Sequence, residues 1–267
     1  MKISIVMPSY QQEKYLPAAI DSVLSQEADG FDIELIVADG GSSDNSRKIL
    51  ESYGPRIRWT SERDEGQSDA LNKALRQSTG DIIGWLNSDD LYMPGCLKTV
   101  AAVFAAEPDT KWLYGKANIV DAGGSEIRRW ITAYKNFKMR RFSFAHLLRE
   151  NWISQMGVFW RRDALQEVGE FRKDLHYCMD YDYWLRLGKR WPGRFVDSYL
   201  ASFRWYPQSK SGANYRVQFA EQAALAAFHS DGKYPVSIFM QRLNAWKIVM
   251  AYRIMDTCRN ISTKGKA

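Results

Sequence analysis

Four apolar segments alternate with helix-like segments over the first hundred residues, and that alternation leaves the chain very few folds. Ile3-Ser-Ile-Val-Met7 reads as a first strand. Residues 12–26 then carry Leu16, Ala19, Ile20, Val23 and Leu24 at helical spacing. Ile33-Glu-Leu-Ile-Val-Ala38 is a second strand that ends at Asp39-Gly-Gly41. Ser42 or Ser43 is placed to cap a helix running to about Tyr53. Ile57-Arg-Trp-Thr60 is a third strand, residues 67–78 a helix with Gly80 as its expected stop, and Ile82–Leu86 a fourth strand. This order builds a mostly parallel, Rossmann-like α/β sheet flanked by helices. Ligands of such sheets bind beyond the carboxyl ends of the strands.

Those ends carry Pro8-Ser-Tyr10, Asp39-Gly-Gly41, Glu62-Arg-Asp64 and Asn87-Ser-Asp-Asp90. Three of the four offer carboxylates on one expected edge, where acids accept hydrogen bonds from a nucleobase or from ribose hydroxyls. Asp39 alone is also explained by an Asx turn. The adjacent Asp89 and Asp90 disfavour each other's ionisation unless positive charge lies beside them. A divalent cation on a diphosphate supplies it, because hard cations prefer carboxylate oxygens. The structural alternative is that one of the two caps a helix starting near Pro94. Neither a G-x-G-x-x-G segment nor a P-loop signature is present, which argues against a dinucleotide enzyme or a P-loop NTPase.

With 267 residues, 45% hydrophobic and 25% charged, the chain suits one large globular domain or one domain with an appendage. Its ten tryptophans and fourteen tyrosines are core and interface material first, although aromatic faces also hold sugars. Cys96, Cys178 and Cys258 have no CxxC spacing and read as isolated thiols of a reducing, cytoplasmic compartment. The start, Met1 to Pro8, reads as a strand and not as a signal peptide, and no apolar run reaches membrane-spanning length. The net charge of +6 is gathered in clusters that could meet phosphate-bearing substrates or anionic lipid. No nucleic-acid-binding signature accompanies them, so nucleic acid is not an expected partner.

Four segments in order carry a resemblance: Ser4-Ile-Val-Met-Pro-Ser-Tyr10, Ile36-Val-Ala-Asp-Gly-Gly-Ser-Ser-Asp44, Asp64-Glu-Gly-Gln-Ser-Asp-Ala-Leu-Asn-Lys73 and Thr79-Gly-Asp-Ile-Ile-Gly-Trp-Leu-Asn-Ser-Asp-Asp90. Together they resemble the family-2 inverting glycosyltransferases of GT-A fold, over about residues 1–211. The resemblance implies a nucleotide-sugar site in the first half and an acceptor site in the second. It implies that Pro8, Ser9 and Tyr10 line the nucleoside pocket, that Asp39 contacts the base and that Asp64 lies close to the nucleoside. Asn87-Ser88-Asp89 matches the DxD motif, whose last acid binds a divalent metal, Mn or Mg, on the diphosphate. Asn87 departs from that motif. Its amide can hydrogen-bond ribose but brings no charge, so metal binding falls to Asp89, with Asp90 secondary or structural.

In the second half, residues 111–131 read as strands with a turn at Asp121-Ala-Gly-Gly124, and Trp130–Phe144 as a basic, aromatic loop over the site. Asp180 and Asp182 open a helix, where acids are favoured as caps. An inverting transfer also needs a carboxylate beside the acceptor hydroxyl. The resemblance selects Asp180 as that base, with Met179 where the family has Glu; Asp182 would orient the helix start or an arginine. Trp152, Gln155 and His176 fall on the acceptor side. Arg204, Ser209, Lys210 and Ser211 could hold the diphosphate from a loop, and Tyr206 stands where relatives have histidine.

The divisions expected are 1–110 for the nucleotide-sugar half, 111–212 for the acceptor and base half, and 213–267 for a C-terminal helical extension. Residues 216–229 and 236–258 read as helices. The second, which carries Trp246 with Arg242, Lys247 and Arg253, either lies on a membrane surface or packs on its own domain or on a second subunit, as in a homodimer. The end, Ser262–Ala267, reads as frayed. The expected function is metal-dependent, inverting transfer of a sugar from a nucleotide sugar, a UDP-sugar, to a hydroxyl of a saccharide or lipid-linked saccharide in surface polysaccharide or lipopolysaccharide synthesis, by a cytoplasmic protein peripheral to the inner face of a membrane. Two rivals differ in class: a non-catalytic nucleotide-sugar-binding subunit, which Asn87 and Tyr206 motivate, and a nucleotidyltransferase, which Pro8-Ser-Tyr-Gln-Gln12 does not suit.

Overall fold

The computed structural model describes residues 1–206, 215–247 and 250. The first half alternates as the apolar pattern predicts: β1 (Lys2–Ser9), α1 (Leu16–Leu24), β2 (Asp32–Asp39), α2 (Ser46–Ser52), β3 (Arg58–Ser61), α3 (Gln67–Gln77) and β4 (Ile82–Trp85). These four strands are parallel. On β1, Ile3, Ile5 and Met7 enter one core and Val6 the other, so the two-residue period feeds both faces of the sheet. β2 and β3 lie on one side of β1 and β4 on the other. The order therefore reverses between β1 and β4, and a crevice opens beyond their carboxyl ends.

The second half supplies β5 (Leu91–Tyr92), α4 (Cys96–Ala106), β6 (Trp112–Val120), β7 (Glu126–Ile127), α5 (Arg129–Met139), α6 (Phe144–Arg149), β8 (Val158–Arg161), α7 (Arg162–Val168), α8 (Met179–Arg190) and β9 (Arg194–Arg204). The path is β3-β2-β1-β4-β8-β6-β9-β5, with β7 on β6, in one nine-stranded sheet. It is parallel through the first four strands and becomes mixed where β8 pairs antiparallel with β4 and β6. Trp85, Trp112, Trp152, Trp160 and Trp184 are all fully buried, and Trp112 stacks on Trp184 with ring centroids 6.3 Å apart. Half of the ten tryptophans are thus core.

Three local expectations change. Gly80 does not stop α3, which ends at Gln77. Gly80 is instead the place where the chain passes over β1: a Cβ there would lie 2.5 Å from Ser4 Oγ, and its N–H donates to Ser4 Oγ at 2.7 Å. α2 begins at Ser46, whose N–H donates to Asp44 Oδ1, while Ser42 turns toward Asp39. Trp130–Phe144 is mostly helix, not loop. The buried residues of α5 are Thr132, Asn136 and Met139, so the spacing is helical but two of the three are polar.

α9 (Tyr215–His229) packs against α8 and α6, with Leu225 and Ala226 in the core, and residues 235–247 are helical. Ile238 packs on that core, whereas Phe239 and Trp246 remain exposed. The described part of the extension is thus seated on its own domain; residues 248–249 and 251–267, which include the end of the expected 236–258 helix and Ser262–Ala267, lie outside the described residues. Cys96 and Cys178 are buried and not joined in a disulfide. No helix among the described residues is long and apolar enough to cross a membrane.

Candidate active site

A cavity of about 1020 Å³ occupies the crevice, and its wall includes Pro8, Ser9, Tyr10, Asp64, Asn87, Ser88, Asp89, Gln155 and Asp180. Residues far apart in sequence are brought together as the strand-end argument requires. At the β1 end, Ser9 Oγ is buried without a hydrogen-bond partner among the described residues. Asp64 accepts the Gly66 N–H at 2.9 Å. Gly40 lies so close that a Cβ would stand 2.5 Å from Asp64 Oδ2, and only glycine allows that approach. Asp39 is not on the wall. It is 2% exposed, and its carboxylate accepts from the Ser42 N–H at 2.9 Å and from the Ser42 and Ser61 hydroxyls. These bonds stitch the ends of β2 and β3, as in the Asx-turn reading.

Neither Asp89 nor Asp90 caps α4, whose N-cap is Gly95. Asn87 is a hub. Its Oδ1 accepts from Gln67 Nε2 at 2.9 Å and from Trp85 Nε1 at 2.8 Å; its Nδ2 donates to Asp90 Oδ2 at 3.1 Å and to Gln155 Oε1 at 3.0 Å. Asp90 is fully buried and also accepts the Arg204 N–H at 2.9 Å. Burial, then the charge of Asp89, pushes its carboxyl well above the usual range. A carboxylate at position 87 would face Asp90, so the neutral amide is what this geometry needs.

Asp89 faces the cavity and accepts the Tyr206 hydroxyl at 2.8 Å. Burial pushes its carboxyl up, offset in part by that hydrogen bond and by Arg204. Tyr206 thus occupies the flank of the acid that the sequence reading associates with metal. No group of three or more His, Cys, Asp or Glu able to hold a metal occurs among the described residues. The donor set fits a hard cation held by one protein carboxylate, with phosphate and water as its other ligands, because the burial-strained charge of Asp89 calls for a positive partner. Arg204 does not reach the cavity. Its guanidinium donates to the carbonyls of Asp89 at 2.9 Å, Asp121 at 3.2 Å and Ala122 at 3.0 Å, so it braces the tip from behind instead of binding donor. Ser209, Lys210 and Ser211 lie outside the described residues.

Asp180 stands in the first turn of α8, with Oδ1 on the Tyr181 N–H at 2.7 Å and Asn151 Nδ2 3.4 Å from Oδ2. The segment before it is held from α9: the Glu221 carboxylate accepts the N–H groups of His176, Tyr177 and Cys178 at 2.9, 2.8 and 2.7 Å. Asp182 points the other way and is fully buried, with Arg186 at 2.9 Å and His229 Nε2 at 2.8 Å. Burial pushes the Asp182 carboxyl up, but the His229 hydrogen bond and the charges of Arg186, His229 and Arg172 bring it below its ordinary value. Gln155 lines the cavity yet spends its amide on Asn87 and on the Trp85 carbonyl.

Two residues expected on the acceptor side do not line the cavity. Trp152 is fully buried against Tyr114, with centroids 5.2 Å apart, because the aromatic core draws it inward. His176 is exposed and does not line the cavity; its backbone N–H donates to Glu221. The sequence reading missed Arg63, Gln67, Lys135 and the amides of the last two helices. Gln67 lies inside a quoted motif and was findable. Lys135 sits in a basic stretch that resembles solvated surface; burial lowers its pKa while Asp180 and Glu150 raise it. The C-terminal amides leave only a spacing signal: Gln218 with Gln222, and Gln241 with Asn244.

A model of the family described as glycosyl transferase family 2 matches residues 4–169. The chain is 31% identical over 189 residues to the UDP-Glc:alpha-D-GlcNAc-diphosphoundecaprenol beta-1,3-glucosyltransferase WfgD of Escherichia coli, covering 70% of either chain. Its fold is similar to that of S. aureus TarS 1-349 in complex with UDP-GlcNAc, with a TM-score of 0.68, 19% identity, and 86% of this chain and 66% of that one covered. It is also similar to the mannosyltransferase PcManGT from Pyrobaculum calidifontis in complex with GDP-Man and Mn2+, with a TM-score of 0.62, 16% identity, and 97% and 79% covered. The chain spans 35% to 53% of the length of three further curated relatives.

Proposed function

The chain belongs to glycosyl transferase family 2, and from that premise we propose that it transfers a sugar, with inversion, from a UDP-sugar to a hydroxyl of a saccharide or lipid-linked saccharide. One observation carries the reading. Asp89, at the end of β4, and Asp180, at the start of α8, face the same cavity although 91 positions separate them. Pro8, Ser9, Tyr10 and Asp64 would receive the nucleoside at one end of it. Asp180 would take the proton of the acceptor hydroxyl as its oxygen attacks the anomeric carbon, while the bond from that carbon to the diphosphate breaks and its electron pair leaves with the diphosphate. A divalent cation held by Asp89, Mn or Mg, would neutralise charge gathering on the departing group. Asn87, Gln155 and Arg204 hold the tip that presents Asp89.

Support for the donor and acceptor classes comes from the family match, from WfgD, a UDP-Glc:alpha-D-GlcNAc-diphosphoundecaprenol glucosyltransferase, and from the likeness to TarS in complex with UDP-GlcNAc. A lipid-linked acceptor would bring the protein to a membrane surface. Exposed Trp130 and Phe137 on α5, and Phe239 and Trp246 beyond α9, are suited to that surface, beside the basic residues Arg128, Arg129, Arg140 and Arg141. The test is release of nucleoside diphosphate from a panel of nucleotide sugars, with and without Mn or Mg. Asp89→Ala should weaken metal-dependent donor binding. Asp180→Asn should bind donor and lose transfer by a factor of about 10²–10⁴; transfer at the wild-type rate would sink the base assignment. Donor binding without turnover in the wild type would instead favour a non-catalytic binding subunit, the reading to which Asn87 and the Tyr206–Asp89 contact lend weight.

A further inference from the structure

The two C-terminal helices contribute six residues to the cavity wall: Gln218, Phe219 and Gln222 from α9, and Gln241, Asn244 and Ala245 from residues 235–247. All six lie outside the family match, which ends at residue 169. Four are amides and none is charged, although the same helices carry Glu221, Arg242 and Lys247 elsewhere. Gln241 stands out among them. It is 1% exposed, and neither its Nε2 nor its Oε1 has a hydrogen-bond partner among the described residues.

A buried amide left unsatisfied costs about 1–3 kcal/mol, so a native chain that retains one is expected to satisfy it with something absent from the bare fold. Each amide offers two donors and an acceptor oxygen, which suits hydroxyl groups that themselves both give and take hydrogen bonds. These six residues themselves give no counter-charge to a diphosphate; the cations of the cavity, Arg63, Arg128, Lys135 and Arg149, stand on other segments. Phe219 adds an apolar face of the kind that covers the C–H face of a pyranose. Four more polar atoms of the cavity lining are buried and unpartnered among the described residues: Ser9 Oγ, Asn118 Oδ1, Thr132 Oγ1 and Asn151 Oδ1, the last two on segments that line the cavity together with Lys135 and Asp180. Asn151 also reaches Asp180 through its Nδ2, which links this wall to the proposed base.

We infer that Gln241, with Gln222 and Phe219, forms a subsite for a neutral sugar ring, and that the ring is the acceptor saccharide. The inference rests on the transferase reading for the word acceptor; the sugar subsite itself does not. The extension then selects the acceptor, while the family-matched half holds the donor.

Saturation-transfer NMR on the full chain tests this, with methyl glycosides of glucose, galactose and N-acetylglucosamine as probes. We expect at least one glycoside to bind the wild type. Gln241→Met and Gln222→Met should weaken it about tenfold, the loss of one hydrogen bond, with UDP affinity unchanged. Gln241→Met should also raise the thermal midpoint, because it removes an unsatisfied buried group. The subsite is refuted if no glycoside binds, or if binding survives both substitutions. A lower midpoint accompanying the loss would mean that Gln241 merely supports its helix, and would refute it too. Displacement of the glycoside by a UDP-sugar but not by UDP would assign the subsite to the donor's sugar and overturn the acceptor assignment. Failure of the transferase reading looks different: no nucleotide sugar is turned over, while glycoside binding still depends on Gln241.

Discussion

Asn87 illustrates how one atom can decide a residue's role. With carboxylate at that position the side chain would keep an acceptor for Gln67 and Trp85 but lose the donor that faces Asp90 and Gln155. Asn87→Asp is therefore expected to destabilise the fold by about 1–3 kcal/mol, the cost of leaving buried groups unmatched, and urea unfolding near neutral pH would measure it. An unchanged midpoint would mean that Asp90 is held without the amide. The same scale explains Arg204. A long cation near a diphosphate site invites a ligand role from sequence, yet its planar fork matches three backbone carbonyls, and those carbonyls belong to the segments it joins. Glu34 is a third case. Burial pushes its carboxyl up, but hydrogen bonds from Ser4, Thr79 and Lys2 outweigh this and hold it at about 2, against 4.5 ordinarily. Because the folded value is the depressed one, the stabilisation is fully present above about 4.5 and is lost as pH falls toward about 2. Glu34→Gln should flatten that part of the acid-unfolding profile; an unaltered profile would exclude Glu34 as its source.

At the scale of elements, the proposed base Asp180 depends on a helix that is remote in sequence. The N–H groups leading into α8 have no intrahelical acceptors, and Glu221 of α9 supplies the missing carboxylate oxygens. Glu221 is a positioning residue: it touches the backbone that carries Asp180, not the substrate. Glu221→Ala should lower kcat by about 10–100-fold, because small displacements of a reacting group cost that much, while the KM for donor stays close to wild type. Glu221→Gln, with one acceptor oxygen left, should recover part of the loss. A rise in donor KM with kcat unchanged would place Glu221 in donor binding instead. α5 shows why its own element was hard to read. Thr132 and Asn136 face inward and Trp130 and Phe137 outward, so hydropathy is inverted relative to an ordinary surface helix. That inversion is natural where a helix roofs a polar cavity.

For the whole molecule, the fold continues well past the family-matched segment. β9 lies between β6 and β5 in the sheet, and α9 covers α8 and α6. Ending the chain at residue 206 would uncover the apolar face on which Leu225 and Ala226 pack and remove His229 from buried Asp182. The unsatisfied carboxylate oxygen alone should cost about 1–3 kcal/mol. We expect such a truncation to lose soluble yield and thermal stability together with glycoside binding; a truncated chain as stable as the whole would show that the extension is an independent appendage. Read by itself, the sequence determined the alternating half of the sheet, the strand ends that meet at the crevice, and the candidacy of Asp64, Asp89 and Asp180. Those features follow from periods of two and 3.6 residues and from short motifs, which are local and survive in one dimension. Tertiary structure alone decided which polar groups face ligand and which face protein. Asp39 turns to Ser42 and Ser61, Trp152 to the aromatic core and Arg204 to carbonyls, while Gln241 is left open to the cavity. A side chain's partner is set by what the rest of the chain brings within hydrogen-bonding reach, about 3 Å, and that proximity is not encoded in any local spacing.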